Sequence, residues 1–413
     1  MKKLLSIFAL SFVSLAIYAY DIYVDSIYYN ITSENTVEVT GTFQPNYKGS
    51  VVIPEKVDYN GCTYSVTTIG KGAFQLCYDL TSITIPSSVV SINGYAFHNC
   101  TGLQEITIPN SVTTISTSAF EGCKGLHQLK IPDNVTFIGM HAFADCSGLE
   151  SIKFPNSDVT IGMYAFSYCK KIKSIIIPNS ITSISAGLFF GCTQLSSISL
   201  PDGITSIGYD AFDECVGLKS IKIPNSVKSI GLNAFKSSGL TSVVLPDSIT
   251  KIDLYAFQNC KNLKSVTISN GLTMINDYTF EGCRNLTSVI IGKSVAMIGK
   301  GAFLNCNELD SITSLNTTPP LICINTFDNN TYDDAKLYVP IGSKDAYSDA
   351  LYWGYFKINE IATSSYIANT AKDKTKTESE NIYTLKGEQI NASSNYKRPK
   401  GIFISKGKKL FKK

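Results

Sequence analysis

One period governs this chain. Phenylalanine recurs at positions 74, 97, 120, 143, 166, 189, 212, 235, 257, 280 and 303, every 23 residues except for 22 between Phe235 and Phe257. Alanine or a close variant precedes each Phe. Cysteine follows three residues later at 77, 100, 123, 146, 169, 192, 215, 260, 283 and 306, and Ser238 takes its place in the one remaining unit. A fixed period of this length means that each unit packs only on its neighbours, so the array grows without one growing core. The 413 residues therefore do not divide into two or three compact domains, as length alone suggests. With 44% hydrophobic and 17% charged residues, the composition excludes wholesale disorder.

The unit Leu80-Thr-Ser-Ile83-Thr-Ile85-Pro86-Ser-Ser-Val89-Val-Ser-Ile92-Asn-Gly-Tyr-Ala96-Phe97-His-Asn-Cys100 shows what each turn does. Ile83 and Ile85 alternate with Ser82 and Thr84, the period of two that marks a short half-buried strand. Pro86 ends it, since proline cannot donate to a ladder. Val89 and Ile92, then Phe97 and Cys100, stand three apart, which predicts a loose 3₁₀-like return. Stacked turns give a solenoid with one parallel sheet on one face and ladders of like side chains inside. The repeat cysteines fall on one inward position and read as buried, reduced thiols, although an exported chain rich in cysteine invites disulfides.

Outside the repeats, residues 1–19 read as a signal peptide: Lys2 and Lys3, an apolar run from Leu4 to Tyr18, then Ala19. The apolar run is too short to span a bilayer, so export with no transmembrane segment is expected. Residues 20–66, with strand-like runs and an Asn60-Gly61 hairpin signal, form a β-rich N-terminal cap. The solenoid and its C-terminal cap, including Trp353 and Phe356, occupy 67–361, and 362–380 reads as a polar linker. The final segment, 381–413, is basic. Residues 363–413 hold 12 Lys and Arg against 4 Asp and Glu, while 20–362 hold 22 against 29, a net −7. An acidic body argues against nucleic acid as partner.

The unit LxxIxIPxxVxxIxxxAFxxCxx resembles the leucine-rich repeat of the BspA-like bacterial surface proteins, also found in treponemal surface proteins, over residues 20–361. The opening Asp21 to Tyr29 and the segment Leu337 to Tyr347 are similar to those of Bacteroidetes members. The resemblance implies a right-handed superhelix with the sheet on its concave face, and adhesion to host matrix proteins, host cells or other bacteria. It supplies no catalytic residues and no cofactor. The run Lys400-Gly-Ile-Phe-Ile-Ser-Lys-Gly-Lys-Lys409 resembles the end of a type IX secretion sorting domain, which implies outer-membrane passage and surface attachment.

No catalytic constellation stands out. There are three histidines, with neither H-E-x-x-H nor G-x-S-x-G. Ile291-Gly292-Lys293-Ser294 mimics the end of a phosphate loop, but Thr287 stands where its first glycine belongs. His98-Asn99-Cys100 has no partners for a metal. Binding is the expected role. About 12 strands at ~4.8 Å give a face of ~55–60 Å, enough for a protein partner burying ~1,200–2,000 Å² in total. Its outward positions are mostly Ser and Thr, but Lys130, Lys153, Lys173, Lys219 and Lys222 cluster on or beside the sheet with His127. Ile176 and Val244 add apolar contacts. This stripe suits an acidic protein or an anionic glycan. Tyr95, Tyr164, Tyr209, Tyr255 and Tyr278 mark a second, return-side surface whose rings suit sugars. Three readings follow: an adhesin for host extracellular-matrix or cell-surface proteins, a glycan-binding protein for nutrient capture or coaggregation, and a structural spacer.

Overall fold

A computed structural model describes residues 20–41 and 47–362, together with the backbone of four short strands in the tail. The chain is a parallel β-solenoid. A first ladder runs from strand Gly49–Val52 through Leu80–Thr84, Gln128–Lys130 and Ser242–Val244 to Lys357–Ile361, in four stretches: 49–107, 128–153, 174–199 and 242–361. Alternation sets its faces: Leu129 is buried between exposed Gln128 and Lys130.

The expected irregular return contains a second parallel ladder. Two-residue strands such as Ser91–Ile92, Thr114–Ile115 and Phe137–Ile138 pair in register, with Ile115 between Ile92 and Ile138. Two residues are too few to display a period of two, so the Val-x-x-Ile spacing imitates a 3₁₀ turn in the sequence. Around each Phe runs a third set of bonds. The amides of Tyr95, Phe97 and Asn99 donate to the carbonyls of Thr117, Ala119 and Glu121 on the next turn, at 3.0, 2.7 and 2.7 Å. Each of these turns places two left-handed residues around its Phe, as Tyr95 (φ 60°) and Asn99 (φ 59°) do around Phe97. That conformation costs a non-glycine residue about 1 kcal/mol, offset here by the backbone bonds that it aims at the next turn.

Side chains at the left-handed positions lie over the next turn, and glycine makes the room. A Cβ on Gly191 would sit 2.5 Å from the Tyr168 ring, and one on Gly301 would sit 2.5 Å from the Tyr278 ring. Tyr164 covers Gly187 in the same way.

Inside, the Phe rings form one stack from Phe74 to Phe327, most steps being 4.9 to 5.4 Å between centroids. Tyr47 closes it at the N-terminal end (4.6 Å), while Trp353 and Phe356 close it edge-on at the other. Trp353 donates its indole N–H to the Pro320 carbonyl at 2.7 Å. The cysteines are free and, apart from Cys62 and Cys323, buried. Except at Cys62, Cys77 and Cys323, their thiols donate to a Phe carbonyl of the preceding turn, Cys123 to Phe97 at 3.1 Å and Cys215 to Phe189 at 3.2 Å. In the short unit, Ser238 meets the Cys260 sulfur at 3.3 Å.

One junction differs. Between the turns of Phe166 and Phe189 both ladders part, the only place among the described residues where they do so together. Asp158 takes the slot that Val135 fills in the preceding repeat, leaving Val159 two residues before Ile161 instead of three. A charged side chain cannot enter the core, so the strand edge shifts. Ser185 Oγ donates to the Ile161 carbonyl at 2.6 Å in place of a ladder amide. The Phe166–Phe189 step widens to 6.4 Å. A cavity of about 490 Å³ opens there, lined by Asp158, Ile161, Ile177, Ser180, Ile181 and Leu188 among others.

The leader expected at 1–19 lies outside the described residues, as does the linker from 363 onward. In the tail, strands Ile382–Tyr383, Gln389–Ile390, Gly401–Ser405 and Lys408–Lys412 make one antiparallel sheet.

Candidate functional site

On the first ladder the pairing register sets Lys130 directly opposite Lys153. Both are exposed, because the alternation that buries Leu129 turns its neighbours outward. Like charges facing each other across a ladder repel, and neither belongs to an ion pair among the described residues. The nearest relief is Asp133. The Asn156 backbone N–H donates to it at 2.9 Å and, with help from Lys153 and Lys130, holds its carboxyl below the usual range.

The other expected residues divide at the junction. His127 joins the N-terminal group, its amide bonded to the Gln104 carbonyl and its carbonyl accepting from Glu150. Beyond the break, Ile176 is 76% exposed and faces Ser199 in register. Lys173, Lys219 and Lys222 are exposed on that side. Lys222 lies in a turn that forms no first-ladder strand, so its placement on the sheet is corrected to a gap between Ser197–Ser199 and Ser242–Val244. Val244, 49% exposed, opposes Thr267 in the C-terminal part of the ladder. The stripe is thus spread over three stretches of sheet, with Lys222 in the gap between the last two.

On the turn side the expected tyrosines acquire partners. His141 stacks on Tyr164 at 5.3 Å, and Tyr255 on Tyr278 at 5.3 Å. Tyr164 donates its hydroxyl to Asp210 Oδ2 at 2.7 Å, two turns away. The run Asp210-Ala-Phe-Asp213-Glu214 sets three carboxylates around one Ala-Phe pair, a signal visible in the sequence. Asp213 is 7% exposed, and its Oδ1 has no hydrogen-bond partner. Burial raises its pKa from 3.8 to about 7. Lys236 opposes the shift, and Asp210 and Glu214 add to it.

Burial likewise pushes the ladder thiols up, Cys192 to about 12. Thiols held protonated are poor nucleophiles and poor metal ligands. Among the described residues no group of His, Cys, Asp or Glu is arranged to hold a metal ion, and no helix is long and apolar enough to cross a membrane.

No curated protein sequence matches the chain. A solved leucine-rich repeat protein from Bacteroides ovatus is 29% identical, with a TM-score of 0.64, covering 83% of this chain and all of its own. The pneumococcal vaccine antigen PcpA is 20% identical, with a TM-score of 0.54, covering 83% of this chain and 98% of its own, which speaks for the fold alone. The model of the BspA-type leucine-rich repeat region matches in overlapping stretches, 67–196, 117–240, 183–310 and 228–339. Those stretches cover the Phe stack, the cysteine ladder and most of both strand ladders, and on that basis the chain belongs to the BspA-type leucine-rich-repeat family of bacterial surface proteins.

Proposed function

We propose that the protein is an exported adhesin that binds host extracellular-matrix or cell-surface proteins through the exposed face of its first ladder. The observation that carries this reading is the register pair Lys130–Lys153: two exposed, like-charged side chains without an ion pair, in a body of net negative charge. An acidic partner relieves their repulsion and finds Ile176 and Val244 as apolar anchors. Short side chains at Ser151, Ser174, Ser197 and Ser242 keep the rest of the face low, which suits flat docking.

The test is a binding screen of the purified protein against matrix proteins, mucins and bacterial glycans at low and physiological salt. The adhesin reading expects a salt-sensitive protein hit, weakened about tenfold or more when Lys130, Lys153 and Lys222 become Ser. Binding only to glycans, indifferent to these lysines, moves the site to the turn side. There Tyr168 and Tyr209 expose ring surface, and the protein then serves nutrient capture or coaggregation. No binding to any of them leaves a structural spacer. The reading includes surface attachment through 381–413; a truncated chain still found on protease-accessible cell surfaces refutes that part.

A further inference from the structure

Two tyrosines bridge the broken junction on the turn side. Tyr164 crosses Gly187 and bonds Asp210 at 2.7 Å. Four residues further along the same turn, Tyr168 crosses Gly191, and the charge acting on it most is that of Glu214. Phe190 stands between the two, its ring edge-on to Tyr164 at 6.2 Å and to Tyr168 at 4.9 Å. Asp213 follows Phe190 one turn on at the same repeat position, and Lys236 follows Asp213. Three aromatic rings and three carboxylates therefore border one bay.

The charges in this bay do not balance. Asp210 is answered by hydrogen bonds from Tyr164 and from Asn233 Nδ2 at 3.1 Å. Asp213 is more than nine-tenths buried with Oδ1 unpartnered, Glu214 is exposed, and neither forms an ion pair. Lys236 supplies a single positive charge against three carboxylates, Asp213 adding its charge as it loses its proton around pH 7. An anion is repelled here, and a neutral sugar leaves the charge imbalance as it stands. The donor set is not arranged for a metal. A cation with an apolar shell satisfies both halves, since its charge attracts ring faces as well as carboxylates.

We propose that this bay binds an alkylammonium group, seated against Tyr164, Tyr168 and Phe190 with Glu214 and Asp213 as counter-charges and Asp210 orienting Tyr164. The group is carried by a lysine side chain or by a quaternary amine. The site is independent of the lysine face, because it selects the opposite charge.

The experiment uses the full chain, with tetramethylammonium and N-acetyl-lysine methylamide as probes and neopentyl alcohol as neutral isostere of the first, followed by ligand-observed NMR. A saturable cation signal at about 10 mM or below, absent for the alcohol, is expected. Tyr168→Ala and Glu214→Gln should each weaken it about fivefold or more, while Tyr168→Phe keeps it. Affinity should also rise several-fold from pH 5.5 to 8. Asp213 loses its proton over that range in the presence of Asp210, Glu214 and Lys236 on its own and the next turn and of Tyr164 and Tyr168 before it. Preference for tetramethylammonium points to a quaternary amine and preference for the amide to a lysine side chain, both within the proposal. It is overturned if the alcohol binds equally, if Glu308→Gln on an exposed turn outside the bay weakens binding as much, or if no saturable signal appears.

Discussion

Gly301→Ala separates two roles for the glycines at left-handed positions. Gly301 has φ 62°, but Tyr278, Asn305 and Ser118 hold the same conformation without being glycine, so backbone freedom alone costs about 1 kcal/mol to remove. The larger effect is space: an added Cβ would stand 2.5 Å from Cδ1 and Cε1 of Tyr278. Tyr278 is stacked on Tyr255 at 5.3 Å, so the ring has little room to retreat, and overpacking of this kind costs about 1–3 kcal/mol. The sum is about 2–4 kcal/mol. In a Tyr278→Ala background the clash vanishes, and only the backbone cost of about 1 kcal/mol remains. Urea unfolding of the four proteins, compared by midpoint at equal slope, should give a coupling of about 1–3 kcal/mol. Additivity within about 0.5 kcal/mol would refute the idea that these glycines make room for the preceding ring.

Three further outcomes follow from the same geometry. Asp213→Asn should stabilise the protein above pH 7 by about 2 kcal/mol, once the full linkage is discounted for solvent. A carboxyl whose folded pKa is raised from 3.8 to about 7 contributes stability below the first value and loses it as pH rises through the second, so thermal midpoints of variant and parent should converge near pH 4. In hydrogen exchange, the amides of Thr182 and Ser185, which face the parted ladder, should exchange at least tenfold faster than those of Thr205 and Gly208, which donate to Thr182 and Ile184 at 2.7 and 2.9 Å. A thiol reagent should label exposed Cys62 at once and partly exposed Cys323 more slowly, reaching all 12 cysteines only after denaturation; rapid native labelling of more would contradict the buried ladder.

The fold was legible because every unit repeats the same register. Phe97, Cys100 and Ile92 had only to be recognised as inward once for all the other turns to follow. The second ladder was hidden because a two-residue strand such as Thr114–Ile115 has no alternation to show. The left-handed positions were hidden too, since Tyr, Asn, Ser, Asp and His occupy most of them and only Gly122, Gly187 and their like hint at the conformation. Exposure of Lys130, Lys153, Ile176 and Val244 followed from alternation, but the gap at Lys222 did not, because nothing in Lys219 to Ile223 departs from the strand pattern. The acidic bay becomes visible only when the repeats are written in columns. Tyr164, Gly187 and Asp210 then share one column, and Tyr168, Gly191 and Glu214 another.

Those columns bear on how the array holds together. A solenoid is stabilised by each unit and by its interface with the next, so one weak interface lowers the cooperativity of the whole. The interface between the turns of Phe166 and Phe189 lacks both ladders and has the widest Phe step, 6.4 Å. Besides side-chain bonds from Ser180, Ser185 and Cys192 to the Ser157, Ile161 and Phe166 carbonyls, what crosses it is the turn-side bonding, with Tyr164, Phe166 and Tyr168 donating to Ala186, Leu188 and Phe190 at 2.8, 3.2 and 2.6 Å, and the Tyr164 bridge to Asp210. Because that bridge spans two interfaces, it ties the weak one to its stronger neighbour. Removing its hydroxyl by Tyr164→Phe deletes a hydrogen bond to a carboxylate worth about 1.5–3 kcal/mol. The variant should unfold in two resolved steps, with the turns before Phe166 and those after Phe189 melting separately. A single transition as sharp as the parent's would mean that the Phe stack alone couples the two halves.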